Sequence, residues 1–435
     1  MNKIFIWSAW WAEHSQTSYQ STIVYDFFSK NWYDIVRLAS DSDYILLNWY
    51  PFDNYEEKIG LLTINYYKKQ YPNKKIIVFW SIPDMIYWIK EIKDIIFIWY
   101  SEYYKFDELF KKNISINDIE VWRIRFFIPL NLESITLWDL EHNSLWDNIS
   151  IHSDYKLSEK DLNITVDDVI NNTYSIDKIL EYPWKYNYYL DSIDNYYVET
   201  TRWCWFKCSY CSIQKVSWFT KSFPIEKIVR NIKKWLSEWA KNIIIIDEDC
   251  WSYWIDIWLD FAFLANEIDK IDYDFNIKLY YLEPYSLETY YKKINKNFWI
   301  NRVTYARITL QTTSQRILKL MNRNYNIERV LEISEDLKSI NKNIFLWAIV
   351  IYWFPTETID EFKDYFRLLK YFQCIDFLCY AAKKWTKSFN MINNSYNDIY
   401  KKSLMILKMK KIYGDRIDPV IDDFNLRTKV LKSCY

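Results

Sequence analysis

The chain has 435 residues, half of them hydrophobic, and its 56 basic and 57 acidic side chains give a net charge of −1. This length predicts two or three domains of about 100–200 residues each, and the near-neutral charge gives no global electrostatic case for binding to nucleic acid or to membranes. The apolar run before Ser8 is too short for a signal peptide, and no apolar run is long enough to span a membrane. We therefore expect a cytoplasmic protein whose seven cysteines are metal ligands and buried thiols, because disulfides are rare in a reducing compartment.

Glycine is almost absent from the sequence. Average usage of about 7% predicts about 30 glycines in a chain of this length, whereas this chain has 2 Gly and 24 Trp. We interpret most or all of the tryptophans as glycines of the native protein, read from a reassigned stop codon; the alternative is a truly tryptophan-rich protein. Several of them stand where a tight turn, a helix end or close ligand contact favours glycine: Trp10, Trp11, Trp203, Trp205, Trp235, Trp239 and Trp353.

Residues 1–117 alternate between short apolar runs and amphipathic segments. This pattern is typical of a parallel sheet covered by helices on both faces, in which ligands bind at the carboxyl ends of the strands. The predicted strands are Lys3–Ile6, Tyr44–Asn48, Lys75–Phe79 and Ile95–Trp99, and the predicted helices are Ser15–Asn31 and Tyr55–Tyr71. Residues 118–192 lose this periodicity and are predicted to be an interdomain linker or insertion.

Strands and helices alternate again from residue 193 to residue 390. Six β/α units are predicted, and sites in such arrangements lie at the carboxyl ends of the strands. The predicted strands after a first one at Tyr196–Thr201 are Asn242–Ile246, Phe275–Tyr281, Val303–Leu310, Ile344–Tyr352 and Ile375–Cys379. The predicted helices are Pro224–Leu236, Trp258–Ile268, Leu287–Ile294, Ser314–Met321, Ile327–Ile340 and Thr358–Tyr371.

Residues 391–435 are predicted to form a helical tail. Its basic amphipathic helix, Asn394–Lys411, is either a solvated covering helix or a patch that faces RNA. The lysines of that helix are Lys401, Lys402, Lys408, Lys410 and Lys411.

Three cysteines, Cys204, Cys208 and Cys211, follow one another at the spacing C-x3-C-x2-C. A loop that leaves a strand can direct three thiolates at one centre, and soft sulfur ligands select iron–sulfur clusters or zinc. Three thiolates suit a [4Fe–4S] cluster that keeps one iron free of protein ligands. Zinc and three unrelated buried thiols remain alternatives, although zinc usually takes a fourth Cys or His and the histidines, His14, His142 and His152, lie well upstream.

This spacing, with Tyr210 before the last cysteine, resembles the cluster motif of the radical S-adenosylmethionine (SAM) superfamily. The resemblance implies that the free iron binds SAM and that one electron splits SAM into methionine and a 5′-deoxyadenosyl radical. Three further stretches resemble the methylthiotransferases, which modify tRNA adenosine or a ribosomal-protein aspartate: DEDCWSYWIDIW, LQTTSQRILKLMNRNYNIERV and AIVIYWFPTETIDEF. The implied fold is α/β, with an N-terminal parallel-sheet domain before a partial (β/α)6 barrel. The implied cofactors are one [4Fe–4S] cluster and SAM, and the implied partners are a tRNA or ribosomal-protein substrate and a reductant such as flavodoxin or ferredoxin.

Residues 1–117 resemble the N-terminal domain of the methylthiotransferases in the stretches KIFIWSAWWAEHS, SDYILLNWYPFDNYEEK and KKIIVFWS. In that family three strand ends each carry a cysteine, and the three hold a second iron–sulfur cluster. The matching positions here are Trp11, Tyr50 and Ser81. A second cluster is therefore not expected, nor is the family's terminal substrate-binding β-barrel, because Ile412–Tyr435 is too short for it.

Candidate SAM-binding residues stand at predicted strand ends. Asp247 and Glu248 could accept hydrogen bonds from the SAM ammonium or ribose, and Gln311 could orient the methionine or sugar end; each is otherwise a polar residue at the barrel mouth. Trp251 and Trp353, if glycines, would let the backbone lie against SAM. Cys250, offset from the three cysteines, is expected to be an inert buried thiol.

Two rival functions remain open at this stage. One is a radical SAM enzyme with a cobalamin-type N-terminal domain, which the long insertion suggests and the absence of a D-x-H-x-x-G segment disfavours. The other is a non-catalytic binding protein that keeps a cluster or a zinc ion for structure.

Overall fold

The structure is a computed structural model. It describes residues 2–8, 15–36, 38–48, 63–80, 94–99, 102–121, 194–202, 204–211, 221–247, 249–250, 253, 256–257, 260–383, 386–391 and 396–420. The chain divides into two compact units, Met1–Asp154 and Tyr155–Tyr435. Most of the predicted linker, residues 118–192, lies outside the described residues, so the predicted domain boundaries stay predictions.

The first unit contains a five-stranded parallel sheet in the order β2-β1-β3-β4-β5. Its strands are buried on both faces where they are most apolar, as the consecutive residues Leu46 and Leu47 show at 0% and 1% exposure, and this confirms the predicted α/β class. The strands are β1 (Lys3–Ser8), β2 (Asp34–Ile35), β3 (Tyr44–Asn48), β4 (Lys75–Trp80) and β5 (Ile95–Trp99). The described helices are Ser15–Lys30, residues 63–70 and Tyr104–Leu109.

The second unit contains a seven-stranded sheet in the order β14-β13-β12-β11-β10-β9-β6, with every neighbouring pair parallel. The six strands predicted for the partial barrel are all present. Its strands are β6 (Asn195–Val198), β9 (Asn242–Ile246), β10 (Asn276–Leu282), β11 (Val303–Gln311), β12 (Phe345–Tyr352), β13 (Cys374–Cys379) and β14 (Ile417–Val420). A separate antiparallel pair, β7 (Thr201–Arg202) with β8 (Lys221–Ser222), brackets the cysteine loop.

Seven α-helices follow or flank these strands in the described part of the unit. Their apolar sides share one buried cluster with alternate strand residues such as Ile243, Ile245 and Ala306. The helices are Ile225–Glu238, Phe261–Asp269, Pro284–Tyr290, Gln315–Leu320, Ile327–Ile340, Ile359–Asp364 and Tyr396–Tyr413.

The strand β14 corrects the prediction that residues 391–435 form only a helical tail. It pairs with β13 from Ile375↔Ile417 to Leu378↔Val420 and extends the parallel sheet by one strand. Pro419 cannot donate a backbone hydrogen bond and is therefore tolerated at the sheet edge. The run IDPV is too short and too mixed to predict a strand by itself.

Three of the tryptophans that the structure describes bear on the glycine interpretation. Trp32 and Trp353 both have φ near +65°, a left-handed conformation that costs an L-residue about 1–2 kcal/mol and that glycine adopts freely. Trp299 instead packs in the core at 1% exposure. The backbone at the first two positions supports the glycine interpretation, whereas the indole of Trp299 fills space.

Among the described residues, no helix is both long enough and apolar enough to cross a membrane.

Candidate functional site

The cysteine loop begins directly after β7 and belongs to the connection that follows the first barrel strand. Cys208 is buried, Cys204 and Cys211 are partly exposed, and none of the three forms a disulfide. The N–H of Cys211 donates to the carbonyl oxygen of Cys208 at 3.2 Å, which makes a turn between the last two cysteines. The sequence-predicted triad is therefore gathered in one short non-helical loop.

Neighbouring connections anchor this loop through Ser209. Its N–H donates to the carbonyl of Met321 at 2.8 Å and its hydroxyl donates to the carbonyl of Leu320 at 2.7 Å. The N–H of Ser388 donates to the carbonyl of Ser209 at 3.0 Å. The backbone between Cys208 and Tyr210 is thus fixed by the end of the helix Gln315–Leu320 and by the segment that follows β13.

Asp247, at the carboxyl end of β9, fixes the entry to the loop. Its carboxylate accepts the N–H groups of Thr200 at 2.8 Å and Thr201 at 3.2 Å, together with the Thr200 hydroxyl. Burial raises the pKa of Asp247 well above its ordinary value, against the hydrogen bonds from Thr200 that lower it. The sequence offers Asp247 as an acceptor for the SAM ammonium or ribose; in the structure both of its oxygens accept hydrogen bonds from the chain that leads into the cysteines.

Arg323 is the site residue that the sequence did not reveal. Its Nη1 lies 3.4 Å from Sγ of Cys208 and 3.4 Å from the hydroxyl of Tyr210. Its Nη2 pairs with Oε1 of Glu283 at 2.8 Å and donates to the carbonyl of Thr309 at 2.7 Å. One guanidinium therefore connects the ends of β10 and β11 to the middle cysteine.

The backbone explains why Arg323 points at the loop. Asn322 has φ +57°, and the N–H of Arg323 donates to the carbonyl of Leu318 at 2.9 Å. This is the Schellman pattern, in which the residue after a left-handed helix terminator folds back on the last turn. Asn is one of the few residues that adopt that conformation readily, so the local sequence Asn-Arg is suited to this exit.

The thiols share one electrostatic environment. Desolvation raises the pKa of Cys204 well above its ordinary value, and the nearby Asp249, Cys208 and Cys211 raise it further. Among the described residues, no group of three or more His, Cys, Asp or Glu side chains is arranged to hold a single metal ion. Iron–sulfur clusters are held by cysteine thiolates, and one short loop carries Cys204, Cys208 and Cys211.

Two buried oxygens at the carboxyl end of β11 have no hydrogen-bond partner: Oε1 of Gln311 and Oγ1 of Thr313. Gln311 is 8% exposed and has φ +68°. Buried polar atoms are rarely left unpaired in proteins, and an unpaired acceptor of this kind is able to take a hydrogen bond from a ligand or a water. The position of Gln311 therefore suits a residue that binds SAM.

Trp353 lies in the turn after β12, and its N–H donates to Oε2 of Glu357 at 2.8 Å. The same carboxylate accepts the ammonium of Lys402 at 2.6 Å and the hydroxyl of Tyr365. Lys402 is 1% exposed, which corrects its prediction as part of a solvated basic face. The free-energy cost of burying the ammonium group of Lys402 is offset because the group is paired with Glu357.

Other predicted residues have simpler outcomes. Cys250 is fully buried and its Sγ lies 3.0 Å from the carbonyl of Tyr280, as expected for an inert thiol. The remaining candidates lie outside the described residues: Glu248, Trp251, Trp11, Tyr50 and Ser81.

A comparison with protein families matches residues 198–369 to the Radical SAM superfamily. Ribosomal protein uS12 methylthiotransferase RimO of Thermoanaerobacter sp. (strain X514) is 31% identical over 225 residues, which cover 51% of this chain and 49% of that protein. The tRNA-2-methylthio-N(6)-dimethylallyladenosine synthase of Fusobacterium nucleatum subsp. nucleatum is 28% identical over 205 residues, 46% of this chain and 47% of that protein.

Among solved structures, the cobalamin-dependent S-adenosylmethionine radical enzyme OxsB with aqua-cobalamin and S-adenosylmethionine bound has a TM-score of 0.48 at 12% identity. That alignment covers 95% of this chain and 56% of OxsB. At this score and identity the likeness establishes neither a shared reaction nor a shared cofactor.

The chain spans about half the length of the curated relatives that it matches. Within that span the predicted resemblance to the radical SAM superfamily and to the methylthiotransferases is confirmed, and with it the prediction of an enzyme. Residues 198–369 thus match the radical SAM superfamily, and the two relatives named above are methylthiotransferases.

Proposed function

We propose that this chain binds one [4Fe–4S] cluster through Cys204, Cys208 and Cys211 and binds SAM beside it, at the carboxyl ends of the strands. The observation that carries the proposal is the anchored cysteine loop, together with the unpaired oxygen of Gln311 at the carboxyl end of β11. The donor set is three thiols on one loop, and its surroundings add a cation, Arg323, that compensates negative charge. These residues fit the cluster.

When bound, the cluster and SAM would supply one-electron cleavage of SAM to methionine and a 5′-deoxyadenosyl radical. The residues of the chain position the cysteine loop and the ligand. Asp247 fixes the entry to the cysteine loop through Thr200 and Thr201. Gln311 offers an acceptor to the ligand, and the turn at Trp353 is fixed from behind by Glu357.

The substrate class follows from the relatives. Their names state action on ribosomal protein uS12 and synthesis of a methylthio-modified adenosine of tRNA, so we propose a tRNA nucleotide or a ribosomal-protein side chain as the substrate here. A small reductant such as a flavodoxin or ferredoxin would supply the electron. The cytoplasm is the compartment that keeps such thiols reduced.

Sulfur insertion is not part of the proposal. The positions that hold a second cluster in the resembling family carry Trp11, Tyr50 and Ser81 here. None of the three side chains is a thiolate donor, and glycine at position 11 would not be one either. The reaction proposed is therefore hydrogen abstraction from the substrate, with its further course set by residues that the site does not yet identify.

The test is anaerobic reconstitution with iron and sulfide, followed by reduction in the presence of SAM. We expect about four irons per chain and 5′-deoxyadenosine as a product. Single Cys204→Ala, Cys208→Ala and Cys211→Ala variants should lose the cluster, whereas Cys250→Ala, which removes a buried thiol outside these three, should retain it.

The other outcomes identify the rival functions. Zinc in place of iron, or a cluster that never cleaves SAM, would overturn the enzyme and leave a structural metal protein. Cobalamin absorbance in the protein as isolated would move the chain to the cobalamin-type enzymes.

A further inference from the structure

We propose that Arg323 sets the reduction potential of the cluster: its guanidinium, held in place by Glu283, stabilises the negative charge that the cluster gains on reduction. This inference rests on the proposed function, because it requires a cluster on Cys208. Arg323 is on this view a positioning and tuning residue, and it is not assigned a contact with substrate.

The guanidinium of Arg323 is fixed by burial and by its hydrogen-bond partners. Its side chain is 4% exposed and that of Glu283 is 5% exposed. Glu283 is itself fixed, because it caps the helix Pro284–Tyr290 and its Oε2 accepts the N–H of Ser286 at 3.2 Å. The carbonyl of Thr309 holds the same Nη2 from another strand. The cation near Cys208 is therefore preorganised before any cluster binds.

The arrangement also carries a cost that stability alone does not explain. Nε of Arg323 is buried and has no hydrogen-bond partner, and an unsatisfied buried donor costs about 1–3 kcal/mol. A buried Arg–Glu pair is in addition often no more stabilising than apolar residues of the same volume. Such a costly group next to a metal ligand indicates a functional use of its charge.

The electrostatic consequence has a definite sign. Reduction adds one electron, taken from the reductant, to a centre already surrounded by three thiolates. A fixed cation within hydrogen-bond distance of one sulfur stabilises the reduced form more than the oxidised form, and a site shielded from water makes the effect larger. Hydrogen bonds to ligand sulfurs act in the same direction. Arg323 therefore makes the cluster easier to reduce.

Glu283 partly cancels the effect of Arg323 on the reduction potential. Its carboxylate shares the guanidinium with Cys208, so part of the positive charge is already compensated. Removing the carboxylate should expose the cluster to more of the cation's field. The pair thus predicts shifts of opposite sign for its two members, which a purely structural role would not produce.

The experiment measures the midpoint potential of the reconstituted full-length chain without SAM, poised with dithionite and followed by electron paramagnetic resonance. Arg323→Gln should lower the potential, Arg323→Lys should stay closer to the wild type, and Glu283→Gln should raise it. The matched control is Arg316→Gln, which removes the same charge from an arginine paired with Glu361 at the surface and should leave the potential unchanged.

Equal potentials in the wild type and Arg323→Gln would overturn the inference, as would shifts of the same sign in Arg323→Gln and Glu283→Gln. If Arg323→Gln takes up no iron, Glu283→Gln alone decides: a raised potential supports the inference, and an unchanged or lowered one overturns it. If the iron assay finds no iron in the reconstituted wild-type chain, both the proposed function and this inference are wrong. A wild-type cluster that never cleaves SAM removes the proposed function but leaves the potential test intact.

Discussion

Lys402 donates from its ammonium group to the carboxylate of Glu357 at 2.6 Å, and the two side chains are 1% and 0% exposed. Glu357 also accepts the N–H of Trp353. The helix Tyr396–Tyr413, which carries Lys402, is in this way connected to the turn after β12, where we propose that the backbone lies against SAM. Lys402, which is distant in sequence from the cysteines, thus helps to fix the turn at Trp353 through Glu357.

Removing one member of this pair should be costly. Lys402→Met leaves the Glu357 carboxylate buried and without its cation, and such a change typically costs about 3–5 kcal/mol. We expect that decrease in the free energy of unfolding by denaturant titration. Arg329→Gln is the control, because Arg329 and Glu332 form an exposed pair whose loss should cost at most about 1 kcal/mol.

The double variant Lys402→Met with Glu357→Gln should recover much of that loss, since it leaves no buried charge. If the double variant is destabilised by the sum of the single losses, the two charges do not interact and the interpretation of the pair is wrong.

Glu357 also predicts a dependence of stability on pH. Burial raises its pKa above the ordinary value of 4.5, although Lys402 and Tyr365 lower it. The folded state therefore keeps this proton to higher pH than the unfolded state does. The resulting stabilisation is complete below the unfolded pKa and is lost as pH rises through the folded pKa.

The measurement compares the wild type with Glu357→Gln, which cannot titrate, in unfolding titrations from about pH 4 to about pH 7. The wild type should lose stability relative to the variant as pH rises, by about 1.4 kcal/mol for each unit of pKa shift. Parallel stability profiles for the two proteins would contradict the prediction.

Asp247→Ala should loosen the cysteine loop. The substitution leaves the N–H groups of Thr200 and Thr201 without their acceptor, and each unsatisfied buried donor costs about 1–3 kcal/mol. We expect the reconstituted variant to lose iron to a chelator several-fold faster than the wild type. Asp256→Ala is the matched control, because Asp256 is exposed and accepts the N–H of Ser222 in β8. Equal rates of iron loss in the two variants would show that Asp247 does not hold the loop.

The sequence predicted the elements whose pattern is local. The run Asn242–Ile246 is four isoleucines after one asparagine and became β9 with the predicted bounds. The three cysteines were likewise visible from their spacing. Arg323 and Glu283 were not, because nothing in either neighbourhood predicts that an arginine after one helix meets a glutamate before another. Lys402 was misassigned for the same reason: its charge pattern is that of a surface lysine until Glu357 is placed beside it.

Gln311→Ala should separate ligand binding from stability. Its Oε1 is buried and unpaired, so its removal should change the free energy of unfolding little. If that oxygen binds SAM, the lost hydrogen bond of about 0.5–1.5 kcal/mol raises the dissociation constant up to about tenfold. Equilibrium dialysis of SAM against the reconstituted variant measures this change.

Gln315→Ala gives the opposite result in the matched control. Nε2 of Gln315 donates to the carbonyl of Tyr325 at 2.9 Å, so this variant should lose about 0.5–1.5 kcal/mol of stability and bind SAM normally. If the affinity for SAM falls equally in both variants, or falls in neither, Gln311 does not bind SAM.

Trp32 tests the glycine interpretation. It follows the helix Ser15–Lys30 with φ +65°, and the N–H of Tyr33 donates to the carbonyl of Phe28 at 3.0 Å. This is again the Schellman pattern, in which the left-handed position is usually glycine. The indole is 71% exposed, so little packing is lost when it is removed. Trp32→Gly in the chain as written should therefore raise the free energy of unfolding by about 1 kcal/mol.

Trp299→Gly is the control for that gain, because it empties a buried site and should lower the free energy of unfolding by about 3–5 kcal/mol. Glycine at position 32 in the native protein would also give an intact mass below the 53.8 kDa of this sequence, and mass spectrometry of a peptide that contains residue 32 decides the identity directly. A native tryptophan there, together with a loss of stability in Trp32→Gly, would show that the strained backbone is kept for another purpose.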